Sequence, residues 1–198
     1  MTAKRAMDLM LAVPAVILLA PLFLAIAVWI KADSDGPVFF RQTRVGLGGK
    51  PFKIYKFRTM IADAWSRGPA LTSGDDPRIT RAGRVLRRFK LDELPQLWNV
   101  IRGDMSLVGP RPEVPRFVEY YPMNVREEIL SVPPGITDPA SLRYFDESRL
   151  LAGQKDPEQY YVEKILPEKL AIYRAYVHGR SLWRDLWLIV RTVARVFR

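Results

Sequence analysis

The sequence predicts a mainly helical α+β fold, and three stretches of the chain carry that prediction. Residues 9–30 contain no charge, and a helix of that length would cross the hydrocarbon core of a bilayer. Strand-like segments flank the glycines at 46, 48 and 49, which predicts a small β-hairpin within residues 36–60. Residues 181–198 repeat apolar side chains at spacings of three and four, which predicts an amphipathic helix.

Length and composition narrow the classes of function. The chain has 198 residues, a formal net charge of +10 and a pI near 10.0. The charge implies an anionic partner, which could be nucleic acid, an anionic bilayer or a polyphosphate. The absence of cysteine and the single histidine, His178, exclude cysteine-based sites and paired-histidine metal sites. Acid–base or nucleophilic chemistry would therefore fall to Asp, Glu, Lys, Tyr, Ser or Thr.

Three interpretations of the apolar stretch compete. A cleaved signal peptide is disfavoured because the stretch is longer than a usual signal-peptide core and no clear small-residue cleavage site precedes Lys31. A single spanning helix is the simplest interpretation. A re-entrant helix is favoured by Pro14 and Pro21, which tend to kink helices. It is also favoured by basic residues on both sides, which would place both ends in the cytoplasm. These residues are Lys4, Arg5, Lys31, Arg41 and Arg44.

We divide the chain into a membrane element, residues 1–32, and a second domain, residues 33–198. Within the second domain, residues 61–80 are polar and loop-like, with a clear break at residues 73–77. The prolines within residues 109–115 exclude a regular helix there. The remaining helices are predicted at residues 79–102, interrupted at Pro95, at 116–131 and at 156–177.

The amphipathic stretch at residues 181–198 has two interpretations. Its apolar residues are Leu182, Leu186, Ile189, Val190, Val193 and Phe197, with Trp183 and Trp187 one turn apart. Its positive charges are Arg184, Arg191, Arg195 and Arg198. A basic helix with tryptophans is typical of the membrane interface. The alternative is an ordinary surface helix packed on the core.

The polar residues of the middle of the chain form a candidate phosphate site. Arginines recur at 78, 81, 84 and 87, joined by Arg88 and Lys90, and such a stripe would bind phosphates or lipid headgroups unless it is simply solvated. Asp92 and Glu93 follow, and one carboxylate could act as a nucleophile while the other holds a cation. Arg111 lies between two prolines, a stiff setting that suits bidentate phosphate binding.

Four segments in order, residues 56–60, 91–99, 103–112 and 134–137, resemble the bacterial sugar transferase family, the monotopic phosphoglycosyl transferases. The resemblance covers nearly the whole chain. It implies transfer of a sugar-1-phosphate from a UDP-sugar to polyprenyl (undecaprenyl) phosphate, with release of UMP. Asp92 matches the family's nucleophile, which forms a covalent phosphosugar intermediate, and Glu93 matches a residue implicated in Mg²⁺ binding. We take Lys56, Arg58, Arg88 and Arg111 as the substrate- and phosphate-binding set.

The same resemblance implies a location and partners. The N-terminal segment would be a re-entrant helix broken near Pro21, with interfacial helices around an active site on the cytoplasmic face of the bacterial inner membrane. The expected partners are a UDP-sugar, undecaprenyl phosphate and membrane lipid, without nucleic acid, and a homodimer stays open. The product would begin assembly of a glycoconjugate such as an exopolysaccharide, O-antigen, capsule or glycoprotein.

Two departures from the family pattern stand out. Many relatives have Ser-Pro at the helix break, whereas this chain has Ala20-Pro21. Many relatives have glycine after Gly-Ile-Thr, whereas here Thr137 is followed by Asp138, a change we associate with nucleotide or sugar recognition. The sequence leaves the sugar open. Two other functions also remain, a membrane-anchored hydrolase of nucleotide diphosphates and a basic tethered protein that binds nucleic acid or anionic lipid.

Overall fold

The structure, a computed structural model, describes residues 3–64 and 76–196, and within them the fold is mainly helical with two small sheets. The strands are β1 (Phe39–Val45), β2 (Pro51–Phe57), β3 (Ser106–Val108) and β4 (Gly135–Thr137). The helices are α1 (Ala3–Asp33), α2 (Arg81–Arg88), α3 (Leu97–Arg102), α4 (Pro115–Val118), α5 (Met123–Leu130), α6 (Pro139–Arg143), α7 (Glu147–Ala152), α8 (Pro157–Tyr160), α9 (Leu166–His178) and α10 (Leu182–Val196). This architecture confirms the predicted mainly helical α+β class.

Helix α1 is long and apolar enough to cross a membrane. It runs for 31 residues and remains helical through Pro14 and Pro21. The break predicted near Pro21 therefore does not interrupt the helix, because a proline removes one backbone hydrogen bond and bends a helix without having to unwind it. Large apolar side chains in the middle of α1 are exposed, with Leu18 at 78%. Such an uncovered apolar surface marks a site of contact with another apolar phase.

The N-terminal end of α1 is held by buried charges. Asp8 is buried and accepts a hydrogen bond of 2.8 Å from the Ser106 hydroxyl in β3. The Lys4 ammonium lies 3.2 Å from the Asp8 carboxylate and 2.8 Å from the carboxylate of Asp185 in α10. This group, which we call the N-terminal clasp (Lys4, Asp8 and Asp185), ties the start of α1 to the end of the chain.

The C-terminal end of α1 is held by the same domain. The Asp33 carboxylate accepts a hydrogen bond of 2.9 Å from the backbone amide of Ala82 in α2. The Arg58 guanidinium donates to the backbone carbonyl of Ser34 at 2.7 Å and to that of Asp35. Both ends of the apolar helix therefore make polar contacts with one and the same domain.

The predicted hairpin is confirmed. Strands β1 and β2 pair antiparallel, with Phe39 opposite Phe57 and Val45 opposite Pro51. The turn contains Gly48 and Gly49 at φ 63° and 78°, a conformation that glycine adopts without the penalty of a Cβ atom.

The second sheet could not be predicted from the sequence. Strands β3 and β4 are three residues each and pair in parallel, with Val108 opposite Thr137. The two chain segments approach so closely that a Cβ atom on Gly135 would lie 2.1 Å from the backbone nitrogen of Gly109. Such short strands have no periodicity to detect, whereas the glycines that permit the contact are plain in the sequence.

The core consists of several clusters, two of which join α1 to the rest of the chain. The largest surrounds Phe117, Tyr161 and Tyr173, in the segments from α4 to α9. In a second cluster, the buried side chain of Ala12 packs with apolar residues of β2 and α3. A third cluster packs the other half of α1 against α2 and β2. Its buried members are Ile26, Ile30, Phe57 and Leu86.

The predicted helices are largely present with shifted boundaries. Residues 116–131 form two helices, α4 and α5, because Pro122 separates them. The predicted helix at 156–177 is a run of α8, a π-helical turn at Tyr161–Ile165 and α9. The predicted amphipathic helix is α10. Its last predicted residues, Phe197 and Arg198, lie outside the described residues, as does most of the predicted break at 73–77.

Gly83 lies where α2 packs against the segment after β2. A Cβ atom there would lie 2.0 Å from the Thr59 carbonyl oxygen. We expect Gly83→Ala to lower the free energy of unfolding by about 2 kcal/mol, because backbone cannot yield to overpacking as a side chain can. Thermal unfolding in detergent measures the change. Gly153→Ala is the control, since a Cβ atom at Gly153 has no neighbour within 4 Å, and equal stability of the two variants would refute this packing.

Candidate active site

The two candidate carboxylates lie on a 3-10 helix, Leu91–Gln96, that follows α2. Lys90 separates the two helices and adopts a left-handed backbone conformation, with φ 51° and ψ 19°. A 3-10 helix has three residues per turn, so neighbouring side chains point about 120° apart. Asp92 and Glu93 consequently meet different surroundings although they are adjacent in sequence.

Glu93 is held between two cations from distant segments. The Lys56 ammonium, on β2, lies 2.7 Å from its Oε1 atom. The Arg111 guanidinium donates to both carboxylate oxygens, with Nη1 at 3.0 Å from Oε2. Burial alone would raise the pKa of Glu93, but the charges of Arg111 and Lys56 outweigh it and hold the pKa well below its usual range. Glu93 is therefore an ionised carboxylate that fixes both cations in place.

Asp92 is buried but only loosely paired. Its Oδ2 atom lies 3.9 Å from the Lys56 ammonium, beyond hydrogen-bond distance. Its Oδ1 atom is buried without a hydrogen-bond partner among the described residues. Burial raises the pKa of Asp92, the charge of Lys56 opposes that shift, and the charge of Glu93 adds to it. A carboxylate oxygen that is desolvated and unpaired is free to bond to an incoming group.

Arg111 is placed by the contact between two loops. The amide of Gly135 donates to the Pro110 carbonyl at 3.0 Å, and the amide of Gly109 donates to the Thr137 carbonyl at 3.1 Å. The segment carrying Arg111 is thereby locked to the segment after Pro134. The charge of Glu93 raises the pKa of Arg111 well above its usual value, so this arginine stays charged.

Arg87 belongs to this group, whereas Arg88 does not. The Arg87 guanidinium donates to the Thr59 hydroxyl at 2.9 Å. Its charge also lowers the pKa of Asp92, although burial and the charges of Lys56 and Glu93 have larger effects on that pKa. Arg88 is exposed, with its guanidinium 5.5 Å from the centroid of the Phe89 ring. The sequence signalled a basic stripe that includes both arginines. Which of them faces Asp92 depends on how α2 packs, and the stripe did not reveal that.

Arg58 also lies elsewhere than predicted. It is buried against the backbone carbonyls of Ser34 and Asp35, where the chain leaves α1, and burial lowers its pKa. Alternation along a strand would place it on the same side as Lys56. Strand β2 ends at Phe57, however, so Arg58 no longer follows the pleat. Its contacts are those of a residue that fastens the end of α1.

Asp138, the residue at which the chain departs from the family pattern, caps a helix. It is fully buried, and its carboxylate accepts hydrogen bonds from the amides of Ala140 at 2.6 Å and Ser141 at 2.9 Å. These are the contacts of a helix N-cap at the start of α6. The association of this departure with nucleotide or sugar recognition stays a prediction, and the charge of Asp138 acts on Arg111 in the site.

The described residues contain no cluster of three or more histidine, cysteine or acidic side chains that could hold a metal. Of the described residues, Asp92 and Glu93 are the two that bring carboxylate oxygens beside Lys56. Mg²⁺ is commonly held by one or two carboxylates together with substrate phosphates and water. With Oδ1 of Asp92 left free for an incoming group, the adjacent carboxylate of Glu93 is the donor that would fit a Mg²⁺ ion arriving with a diphosphate.

Comparison with known proteins agrees with this arrangement. The model of the family described as "Bacterial sugar transferase" matches residues 1–198. The chain belongs to the bacterial sugar transferase family.

Among its relatives, UDP-glucose:undecaprenyl-phosphate glucose-1-phosphate transferase of Caulobacter vibrioides is 42% identical over 96% of this chain and 68% of the relative. An undecaprenyl-phosphate N-acetylgalactosaminephosphotransferase of Aeromonas hydrophila is 38% identical over 98% of this chain and 43% of its own length. The glucose-1-phosphate transferase of Escherichia coli is 37% identical over 98% and 40%. The chain thus spans less than half of the last two relatives. Membership in this family makes the protein a sugar transferase.

Glu93 is paired with two cations, whereas Asp92 has no close partner. We therefore expect neutralisation of the two carboxylates to change the free energy of unfolding in different ways. Glu93→Gln leaves two buried cations without their partner, and we expect it to lower the free energy of unfolding by about 3 kcal/mol. Asp92→Asn removes a buried charge and should leave stability equal or higher at neutral pH. Because the folded state raises the pKa of Asp92, the wild type is stabilised at low pH relative to Asp92→Asn and loses that advantage as pH rises through the raised pKa.

Thermal unfolding of both variants from pH 4 to pH 8 measures these effects. The wild type serves as the reference at every pH. A large loss of stability in Asp92→Asn at neutral pH, matching that of Glu93→Gln, would show that Asp92 is a paired structural carboxylate and would contradict this account.

Proposed function

We propose that the protein transfers a sugar-1-phosphate from a UDP-sugar to undecaprenyl phosphate and releases UMP, through a covalent intermediate on Asp92. The observation that carries the proposal is the unpartnered, buried Oδ1 atom of Asp92, a carboxylate on which the charges of Lys56, Arg87 and Lys90 act. The names of these relatives describe transferases that act on UDP-sugars and undecaprenyl phosphate. Their match to this chain supports the same substrate classes.

Two displacements at phosphorus complete the reaction. In the first, Asp92 Oδ1 bonds to the sugar-bearing phosphorus, the bond to the bridging oxygen breaks, and that oxygen leaves with its electron pair as part of UMP. In the second, an oxygen of the lipid phosphate bonds to the same phosphorus and the Asp92 carboxylate leaves. The product is a polyprenyl diphosphosugar, and Asp92 returns to its starting state.

The surroundings of Asp92 suit this role. An anionic carboxylate meets an anionic diphosphate, so positive charge must already be in place when they approach. Lys56 and Arg111 supply it without reorganising, because Glu93 holds both. Burial also raises the pKa of Asp92, which makes its carboxylate more basic than an exposed one.

Mg²⁺ is part of the proposal. Glu93 would hold the ion together with oxygens of the diphosphate, and when bound the ion would neutralise charge on that group. Lys56 and Arg111 then bind the remaining phosphate oxygens. We expect removal of divalent cations with EDTA to abolish UMP release and added Mg²⁺ to restore it.

We also propose that α1 is re-entrant, with both ends and the active site on the cytoplasmic face of the inner membrane. The support is the pair of polar attachments described above. Lys4 and Asp8 join one end of α1 to the domain, and Asp33 joins the other. A straight span would carry one of these ends to the far side of the bilayer, where the domain could not reach it.

Helix α10 provides a second contact with the membrane in this proposal. One side of it packs inward through buried Leu188. Another side exposes a stripe of Trp183, Trp187 and Val190, with Trp183 at 82%. Tryptophans on a basic amphipathic helix favour the headgroup region of a bilayer, which would hold the active site close to a lipid substrate.

The role of Asp92 is tested by Asp92→Asn, with Asp146→Asn as a matched control at an exposed aspartate. We expect UMP release from a screened panel of UDP-sugars to fall at least about a thousandfold in the first variant, because the nucleophile is gone, and to persist in the second. Intact-protein mass spectrometry of the wild type, stopped before lipid is added, should show one added sugar phosphate.

The fate of that sugar phosphate separates a transferase from a hydrolase. The transferase places it in the organic phase after lipid is added, whereas a hydrolase leaves it in water. Full UMP release by Asp92→Asn would refute the covalent mechanism.

The topology of α1 is tested with single cysteines, since the chain has none of its own. Ala3→Cys and Ala32→Cys lie at exposed positions near opposite ends of the helix, and Ser181→Cys reports on the domain. We expect a membrane-impermeant maleimide to label none of them in intact cells and all three in inverted vesicles. Labelling of either α1 cysteine in intact cells would show a full span.

A further inference from the structure

Phe145, between α6 and α7, is contacted by two cations. The Lys90 ammonium lies 5.0 Å from the ring centroid, and the Arg195 guanidinium carbon lies 5.4 Å from it. Both distances are those of cation–π contacts. Within residues 3–64 and 76–196, neither cation has a carboxylate at salt-bridge distance. Two positive charges thus share one half-buried ring and keep their hydrogen-bond donors available.

Lys90 has a second unusual property. Among the described residues it is the one non-glycine residue with a positive φ, 51°. The left-handed conformation is unfavourable for a lysine because its Cβ atom crowds the backbone, and such strain is concentrated at functional sites. The residue precedes the helix that carries Asp92, and its charge acts on that carboxylate. Lys90 thus lies two residues from the proposed nucleophile, and the Phe145 ring brings Arg195 to the same position as Lys90.

Arg195 lies on the helix that also carries an exposed apolar surface. It lies in the last turn of α10, the helix whose Trp187, Val190 and Val193 side chains are more than half exposed. A ligand with a phosphate head and a long apolar tail could place its head between the cations while its tail follows this surface into the lipid. A nucleotide sugar has no such tail.

We propose that Lys90 and Arg195, held apart on the Phe145 ring, bind the phosphate of the lipid acceptor. This inference rests on the proposed function. The two cations hold the acceptor phosphate beside the loaded Asp92, so that its oxygen bonds to the sugar-bearing phosphorus as the bond to Asp92 breaks. They neutralise the charge that two phosphate groups bring together.

The test uses the full chain in detergent with a short-chain polyprenyl phosphate as the acceptor. Lys90→Asn removes the cation while keeping a residue that tolerates the left-handed backbone. Arg195→Gln removes the other cation. Arg191→Gln is the matched control, because Arg191 lies one turn earlier on α10 and contacts a different ring, that of Trp187, at 4.6 Å.

We expect the KM for the polyprenyl phosphate to rise about tenfold in Lys90→Asn and in Arg195→Gln, as for loss of a charge-assisted hydrogen bond. In the double variant, the KM for the polyprenyl phosphate should rise by less than the product of the two single increases, because both cations bind one phosphate. The KM for the UDP-sugar in Arg195→Gln and all constants of Arg191→Gln should stay within about twofold of wild type, since surface changes away from a site have small effects.

Other outcomes would overturn the assignment. A rise in the KM for the UDP-sugar with slower single-turnover UMP release would assign the cations to the donor's phosphates. Weaker sedimentation with phosphatidylglycerol vesicles at an unchanged acceptor KM would show that they bind bulk headgroups. If the KM values of both variants matched those of the wild type for both substrates, Lys90 and Arg195 would be surface charges that bind neither substrate. If the wild type itself released no UMP, the proposed function would fail first, and that result is distinct from the other three.

Discussion

The ion pairs of Glu93 are the interaction on which the rest of the site depends. They join three segments that are far apart in sequence: the hairpin through Lys56, the 3-10 helix, and the loop that carries Arg111. A buried carboxylate between two cations is costly to desolvate, and removing one partner leaves an uncompensated charge. The three segments are therefore held in one arrangement, and Asp92 is placed by the same helix as its neighbour.

The asymmetry between two adjacent carboxylates follows from this arrangement. Glu93 takes the hydrogen bonds of both cations, and little remains for Asp92, whose nearest cation lies at 3.9 Å. One carboxylate is thus stable and ionised, while the other is desolvated and has its pKa raised. Neighbouring titratable groups with opposite pKa shifts are a recurring sign of divided roles in active sites. Here Glu93 keeps the cations positioned, and the proposed nucleophile, Asp92, is left without a close partner.

The sequence predicted the elements better than the detailed site. The hairpin, the apolar helix and the carboxylate pair follow from periodicity, turn residues and motif order. The places of Arg58, Arg87 and Arg88 do not, because they depend on where β2 ends and how α2 rotates onto the core. Asp138 shows the same limit, since its place in a motif does not reveal its burial and capping contacts. Local patterns specify elements, whereas tertiary packing decides which side chains meet.

The membrane helix and the active site rest on the same elements. Asp8 in α1 bonds to Ser106 in β3, and the loop after β3 carries Arg111. At the other end of α1, Ile30 packs with Leu86 in α2, the residue next to Arg87. A displacement of either end of α1 would therefore strain both cation-bearing segments. In the proposed membrane arrangement, the depth of α1 in the bilayer and the geometry around Asp92 are coupled through these contacts, which gives the proposed lipid-dependent reaction a physical reason to be built on this helix.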